Sequence, residues 1–391
     1  MKNKVCMYLP PFAGDYSGVA SALFDLGGMI CIHDAAGCTG NYTHFDEPRW
    51  YGSQSMVYCT GLRKMEAILG DDEKFINRII DNAVEKKPQF IAIIGSPVPN
   101  VIGFDFKGVA NAIEKRTGIP TFGFATAGIK GSYKDGIVMG AKALMEYYDS
   151  HSDESIKQDE SGYVAFPGVS PLDIQSDVYE ELQQIVKSAG AKLIQEDGHY
   201  GSINFYKNPR AVKKNIVINQ AGYEIAKYMQ ERYNTPFVLG FPIGKNLKDE
   251  FIQSIRDNVY EGKYLSAISE VQNCEKKGLV IADGVVGLSI KRYLNTLGLN
   301  ANVGVISGKF DGTIDLTNED KIIDEISAGY EFIIADPLIL ELASEKVIKI
   351  ELPHYAVSSR VEKNKNWNYL NEGNWDRKLE KMVNHANEKL A

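Results

Sequence analysis

The chain has 391 residues, 44% of them hydrophobic and 24% charged, with 51 acidic against 43 basic side chains and a formal charge of −8. That length exceeds one ordinary core and implies two to three domains of ~100–200 residues each. The acidic balance argues against non-specific binding to nucleic acid or to an anionic membrane surface, both of which need basic surface. The charged start, Met1-Lys2-Asn3-Lys4, meets Pro10 and Pro11 rather than the apolar stretch of a signal peptide, and no apolar run reaches the ~20 residues that span a bilayer. A cytoplasmic location is expected.

Along the chain one pattern repeats: a short apolar strand, a turn, then a helical stretch. Strands are expected at 28–33, 90–95, 121–124, 163–166, 191–194, 215–218, 236–239, 279–282, 302–306, 332–335 and 347–350. Their apolar runs are continuous rather than alternating, as in parallel strands covered by helices on both faces. Amphipathic stretches at 73–86, 108–116, 174–188, 222–233 and 287–297 supply those helices. The expected fold class is α/β, with three Rossmann-like domains of mainly parallel sheet around a central cleft, plus a C-terminal helix.

The polar segment 151–161 and the stretch 271–277 suggest boundaries. The resulting division is 1–150, 151–270 and 271–365, with a helical tail at 366–391 docked through Trp367 and Trp375. Ligands of such sheets sit beyond the carboxyl ends of the strands. That rule selects 33–41, 95–105, 125–131, 219–222, 240–244, 283–287 and 336–338. Neither a complete G-x-G-x-x-G nor a Walker motif occurs, so no bound nucleotide is expected.

Four of the five cysteines, Cys6, Cys31, Cys38 and Cys59, lie in the first 59 residues; the fifth is Cys274. An odd count with no Cys-x-x-Cys fits neither a disulfide framework nor a zinc ribbon. A buried apolar thiol is the ordinary reading of any one of them. Cys38, between Gly37 and Gly40 directly after a strand, and Cys59, followed by Thr60 and Gly61, are the metal-ligand candidates. Cys31 lies within the strand and is expected in the core; it and Cys6 are weaker candidates. A cluster needs about four thiolates, so a second copy or a partner chain would have to complete the set.

The strand-Gly37-Cys38 segment, the helix entry Leu69-Gly70-Asp71-Asp72 and the loop from Ser96 to Gly103-Phe104-Asp105 together resemble the nitrogenase component 1 type family. The resemblance implies an iron–sulfur cluster, [4Fe–4S] or larger, bound at Cys38 and shared across a subunit interface. It implies a homodimer or a heteromer with a homologous component 1 chain, and an iron protein-like ATPase that delivers electrons. The function it implies is a cluster-binding subunit of a nitrogenase-like reductase. The alternatives are a metallocluster assembly scaffold and a non-catalytic small-ligand-binding protein.

The sequence departs from the family's pattern in several places. Pro11-Phe12-Ala13-Gly14 stands where the family has an upstream cysteine, and Ser96 where it often has another. Asn219 and Gln220 replace the thiol that would hold a catalytic cofactor, and His354 does not match the cofactor histidine, so no iron–molybdenum cofactor and no dinitrogen reduction are expected. Ser96, Gly37, Gly40 and Gly61 are carried as cofactor-binding candidates, and His33, Asp34 and His354 as proton-transfer candidates. The loop with His44, Asp46, Glu47, Arg49 and Trp50 is expected to line the cleft or an interface.

Overall fold

The computed structural model describes residues 7–50, 53, 55–151, 162–256 and 277–359. Cys6, Cys274, the 366–391 tail and most of the two suggested boundary segments lie outside them. The described residues form three sheets, and every pairing between their strands is parallel. The first has the order β2-β1-β3-β4, built from Met56–Cys59, Met29–His33, Ile91–Gly95 and Thr121–Phe124. The second has the order β6-β5-β7-β8, from Lys192–Leu193, Tyr163–Ala165, Val212–Val217 and Phe237–Leu239. The third runs β11-β10-β9-β12-β13, from Ile314–Asp315, Asn300–Val305, Lys277–Ile281, Phe332–Ala335 and Ile348–Glu351. The α/β class with parallel sheets is as expected from the continuous apolar runs.

Two strands escape that reading, β2 and β11. Both are edge strands, short and only half-buried, so neither needs the apolar run that marks a central strand. β2 matters to the site, because its parallel register with β1 sets Ile32 opposite Cys59.

The helices start where a side chain can take up free backbone N–H groups. The Asp71 carboxylate accepts from Lys74 N–H at the start of Asp72–Lys86, and Asp105 from Gly108 N–H at the start of Phe106–Thr117. Asn219 and Asp283 do the same for Gln220–Tyr233 and Gly284–Thr296. Part of what lies beyond the strand ends is therefore capping chemistry.

The apolar interior is continuous between sheets. Leu23, Ile30, Phe90 and Leu144 of the first unit share one cluster with Leu172, Phe205 and Ile225 of the second. Val164, Ile216 and Phe251 share another with Val280, Val303 and Ile334 of the third. Among the described residues no helix is long and apolar enough to cross a membrane.

Candidate functional site

The site lies beyond the carboxyl ends of β1 and β2. After His33 the chain turns through Asp34 and Ala36 into the short helix Gly37–Asn41, which carries Cys38. The positive-φ residue of this turn is Ala36, at φ 114°, rather than either flanking glycine. A non-glycine residue in that region is strained and persists only where its surroundings hold it. Asp34 does the holding. Its carboxylate accepts from Ala36 N–H at 2.9 Å and Thr39 N–H at 3.1 Å. Its carbonyl accepts from Leu62 N–H at 2.8 Å and from the Cys59 thiol at 3.6 Å. One residue thus ties the Cys38 turn to the Cys59 turn.

Cys38 and Cys59 are brought together by this arrangement, close enough that charge on Cys59 acts on Cys38. Burial, the nearby Asp34 carboxylate and a hydrogen bond to it push the Cys38 thiol up to about 11. The thiol is protonated at neutral pH, and a cation is needed to draw out the thiolate. A side chain added at Gly37, Gly40 or Gly61 would meet nothing within 4 Å, so these positions border open space. Gly61, at φ 64°, alone of the three requires left-handed backbone.

The other candidates fall differently. Cys31 goes into the core: it is 1% exposed among Phe75, Ile79 and Ile113, and burial pushes its thiol up to about 12. Ser96 is fully buried and does not cap the helix it precedes; its hydroxyl has no partner among the described residues. Register places it one residue past the His33–Gly95 pair, on the same sheet edge. His33 packs at a tilt against Phe75 and Phe104, with centroids 4.7 and 4.3 Å apart, and its Nδ1 meets Thr60 Oγ1 at 2.8 Å. Burial lowers it to about 4, so it is neutral at physiological pH. His354 lies elsewhere, where the three sheets meet, 3.5 Å from Asp173. Among the described residues no three His, Cys, Asp or Glu side chains are placed to hold a metal ion together.

The loop expected at a cleft or interface is divided: His44 and Phe45 are exposed, while Asp46 and Glu47 turn inward. Glu47 is fully buried in a pair with Arg49. Asp46 accepts from Ser17 Oγ at 2.6 Å and from Asn41 Nδ2 at 2.9 Å, and Asn41 also donates to Tyr16 Oη. Tyr16 and Cys38 are electrostatic neighbours, so this polar group forms the inner wall of the site. The sequence marks Asp46 as polar but nothing local shows that it is buried. Burial, with Glu47 adding to it against the Ser17 hydrogen bond, raises Asp46 from 3.8 to about 6. Its protonated form therefore favours folding, and that contribution is lost as pH rises through about 6. Asp46→Asn is expected to stabilise the chain by about 2–3 kcal/mol above pH ~7 and by little near pH ~4. Urea unfolding at the two pH values checks it, and an equal effect at both would contradict the assignment.

A family model described as Nitrogenase component 1 type Oxidoreductase matches residues 15–320. The chain is 24% identical over 346 residues to the nitrogenase iron-molybdenum cofactor biosynthesis protein NifE of Clostridium pasteurianum, covering 81% of this chain and 73% of that protein. It is 22% identical over 236 residues to the NifE protein of Bradyrhizobium diazoefficiens and 24% over 224 residues to that of Rhodobacter capsulatus. These two matches cover 57% and 54% of this chain, but only 41% and 44% of the relatives. Among solved structures, nitrogenase Cp1 at pH 6.5 superposes with a TM-score of 0.65 at 15% identity, covering 100% of this chain and 95% of that one. Nitrogenase Cp1 at pH 5 gives 0.64 at 14% identity, covering 95% and 88%. At these identities the likeness of structure bears on the fold alone.

Proposed function

The chain belongs to the nitrogenase component 1 type oxidoreductase family, and from that premise we propose that it holds an iron–sulfur cluster through Cys38 and Cys59 as one half of a site shared with a second chain. The observation that carries this reading is the convergence of the two thiols on Asp34 at the open edge of the first sheet. Two thiolates are half of what a four-iron cluster takes, and among the described residues no group of three His, Cys, Asp or Glu is placed to hold a metal. The apolar surface on that edge supports a second chain. Phe45, Met65, Ile68, Leu69, Val98 and Val101 are all more than two-fifths exposed there, on segments that follow β1, β2 and β3. Exposed apolar side chains gathered at one end of a sheet support a docking surface there.

When bound, such a cluster would supply one-electron storage at the boundary between chains. The chain's own residues set its surroundings. Asp34 holds both cysteine turns in register, Gly37, Gly40 and Gly61 leave room beside them, and neutral His33 with Phe75 and Phe104 walls the sheet side. In this reading the chain is the cluster-binding subunit of a nitrogenase-like reductase that takes electrons from an iron protein-like ATPase. The second reading, a metallocluster assembly scaffold, is favoured by the cofactor-biosynthesis proteins among its relatives.

Anaerobically purified protein is expected to carry ~2 iron atoms per chain, as one four-iron cluster per pair. Cys38→Ala and Cys59→Ala are each expected to reduce that to near zero. Iron content unchanged in both variants would end the proposal. ATP-dependent oxidation of a reduced iron protein favours the reductase; cluster transfer to an acceptor protein without such oxidation favours the scaffold.

A further inference from the structure

A second group of ionisable side chains lies where the three sheets meet, away from the cysteines. Tyr133 opens the helix Tyr133–His151 of the first unit, and Asp173 follows β5 of the second. Asp283, Asp336 and His354 follow β9, β12 and β13 of the third. Tyr133 Oη donates to Asp173 Oδ1 at 2.5 Å, and His354 Nε2 lies 3.3 Å from that hydroxyl and 3.5 Å from that carboxylate. Asn219 Nδ2 donates to Asp173 Oδ2 at 2.7 Å. Asp336 Oδ2 accepts from the His354 backbone N–H at 2.8 Å and from Ser358 Oγ at 2.7 Å. Asp283 accepts from Gln220 N–H at 2.8 Å, so a third-unit carboxylate also grips the second unit. His354 Nδ1 is sealed with no partner among the described residues.

Within this set, three carboxylates face one imidazole, and Tyr133 is neutral. Lys134, the next residue along the helix, sits 3.9 Å from Asp135 and reaches toward Gly308. Full ionisation would leave at least two uncompensated negative charges in low-dielectric surroundings, which such a site resists by taking up protons.

We propose that Tyr133, Asp173, Asp283, Asp336 and His354 form a proton-operated latch at this junction, which clasps the three units when it holds its protons and loosens when it loses them. The titration directions agree in sign. Burial and Asp173 raise Asp283 from 3.8 to about 7. Burial raises Asp336. Burial works against the charge on His354, yet the Asp173, Asp336 and Asp283 carboxylates together raise it. Asp283, Asp336 and His354 each bind their proton more tightly in the folded junction than in the unfolded chain. Their contribution is therefore fully present at low pH and is lost as pH rises through about 7 and above.

Hydrogen exchange of the full chain, corrected for intrinsic rates, would test this at about pH 6 and about pH 8.5. Peptides covering 133–140, 168–175, 281–287 and 350–358 are expected to lose about tenfold protection at the higher pH, the effect of one group near 7 giving up its proton across this interval. Peptides from β1 and β3 are expected to keep theirs. Asp283→Asn keeps a side-chain oxygen for the helix cap and is expected to flatten most of the pH dependence at the junction, whereas Asp46→Asn, which removes a raised carboxylate outside the junction, is expected to leave it intact. If Asp283→Asn does not fold, the wild-type comparison decides alone. Junction protection that is independent of pH in the wild type, or as pH-dependent as the wild type's in a folded Asp283→Asn protein, would overturn the latch.

Discussion

Arg49→Ala will lower the stability of the chain by about 3–5 kcal/mol, the cost of stranding a buried charge by removing its partner. The guanidinium meets Glu47 through two parallel bonds, Nε to Oε1 and Nη2 to Oε2, each 2.7 Å. Nη1 reaches Asp25 Oδ2 at 2.7 Å, and Nη2 also donates to the Ser21 carbonyl at 2.9 Å. Its carbon lies 4.7 Å from the Phe24 ring centre and 5.4 Å from that of Tyr200, the latter in the second unit. Glu47 further accepts from Tyr42 Oη at 2.9 Å, and neither side chain meets solvent. Removing the cation leaves Glu47 and Asp25 unneutralised.

Arg49→Lys keeps the charge but loses the planar fork, so it is expected to recover only part of the loss. Pairing Arg49→Met with Glu47→Leu removes both charges and is expected to be milder than Arg49→Ala alone. Urea unfolding of the three variants measures each step. A single variant that loses less than ~1 kcal/mol would show that the pair is effectively hydrated. Because this knot anchors the segment between Cys38 and β2, Arg49→Ala is also expected to weaken iron retention.

Gly18→Ala and Gly136→Ala will each destabilise by about 3 kcal/mol or more, at the upper end of overpacking costs. The helices Asp15–Leu23 and Tyr133–His151 touch backbone to backbone. A methyl group on Gly18 would sit 1.8 Å from the Tyr133 carbonyl oxygen, and one on Gly136 would sit 1.9 Å from that of Asp15. No rotamer change relieves a clash with main chain, so the helices must part. Parting them moves Asp15, whose carboxylate accepts from Ala127 and Gly128 N–H, and Tyr133, which belongs to the three-unit junction. Gly140→Ala, one turn further along the same helix, is the control. Its methyl would lie 3.7 Å from the Ala22 and Leu23 side chains, ordinary contact, so the gain in helix propensity of up to ~1 kcal/mol should prevail. Thermal unfolding of the three variants should therefore give opposite signs along one helix, and equal effects would contradict a backbone contact.

The contrast between Gly140 and its neighbours shows where sequence reading stops. All three are glycines in one amphipathic setting, and only the crossing of two helices separates them. The same holds for Arg49: its type and its place in a polar loop suggest an interface, while its pairing depends on Asp25 and Tyr200 arriving from distant elements. Central strands such as Ile91–Gly95 were legible because short continuous apolar runs bounded by turns mark strands covered on both faces. The β2 edge strand was not, since an edge needs no such run.

Local chemistry alone determined the parallel α/β architecture, the strand-end loops and the candidacy of Cys38, because hydrophobic periodicity and glycine placement act over a few residues at a time. Tertiary structure decided which thiols meet and which charges are buried. Cys59 comes beside Cys38 only through the pairing of β2 with β1, Cys31 is lost to the core by the sheet face on which it falls, and Asp173 joins His354 across 181 positions of chain. The physical reason is that desolvation and Coulomb interaction depend on distance in space, which no local pattern encodes.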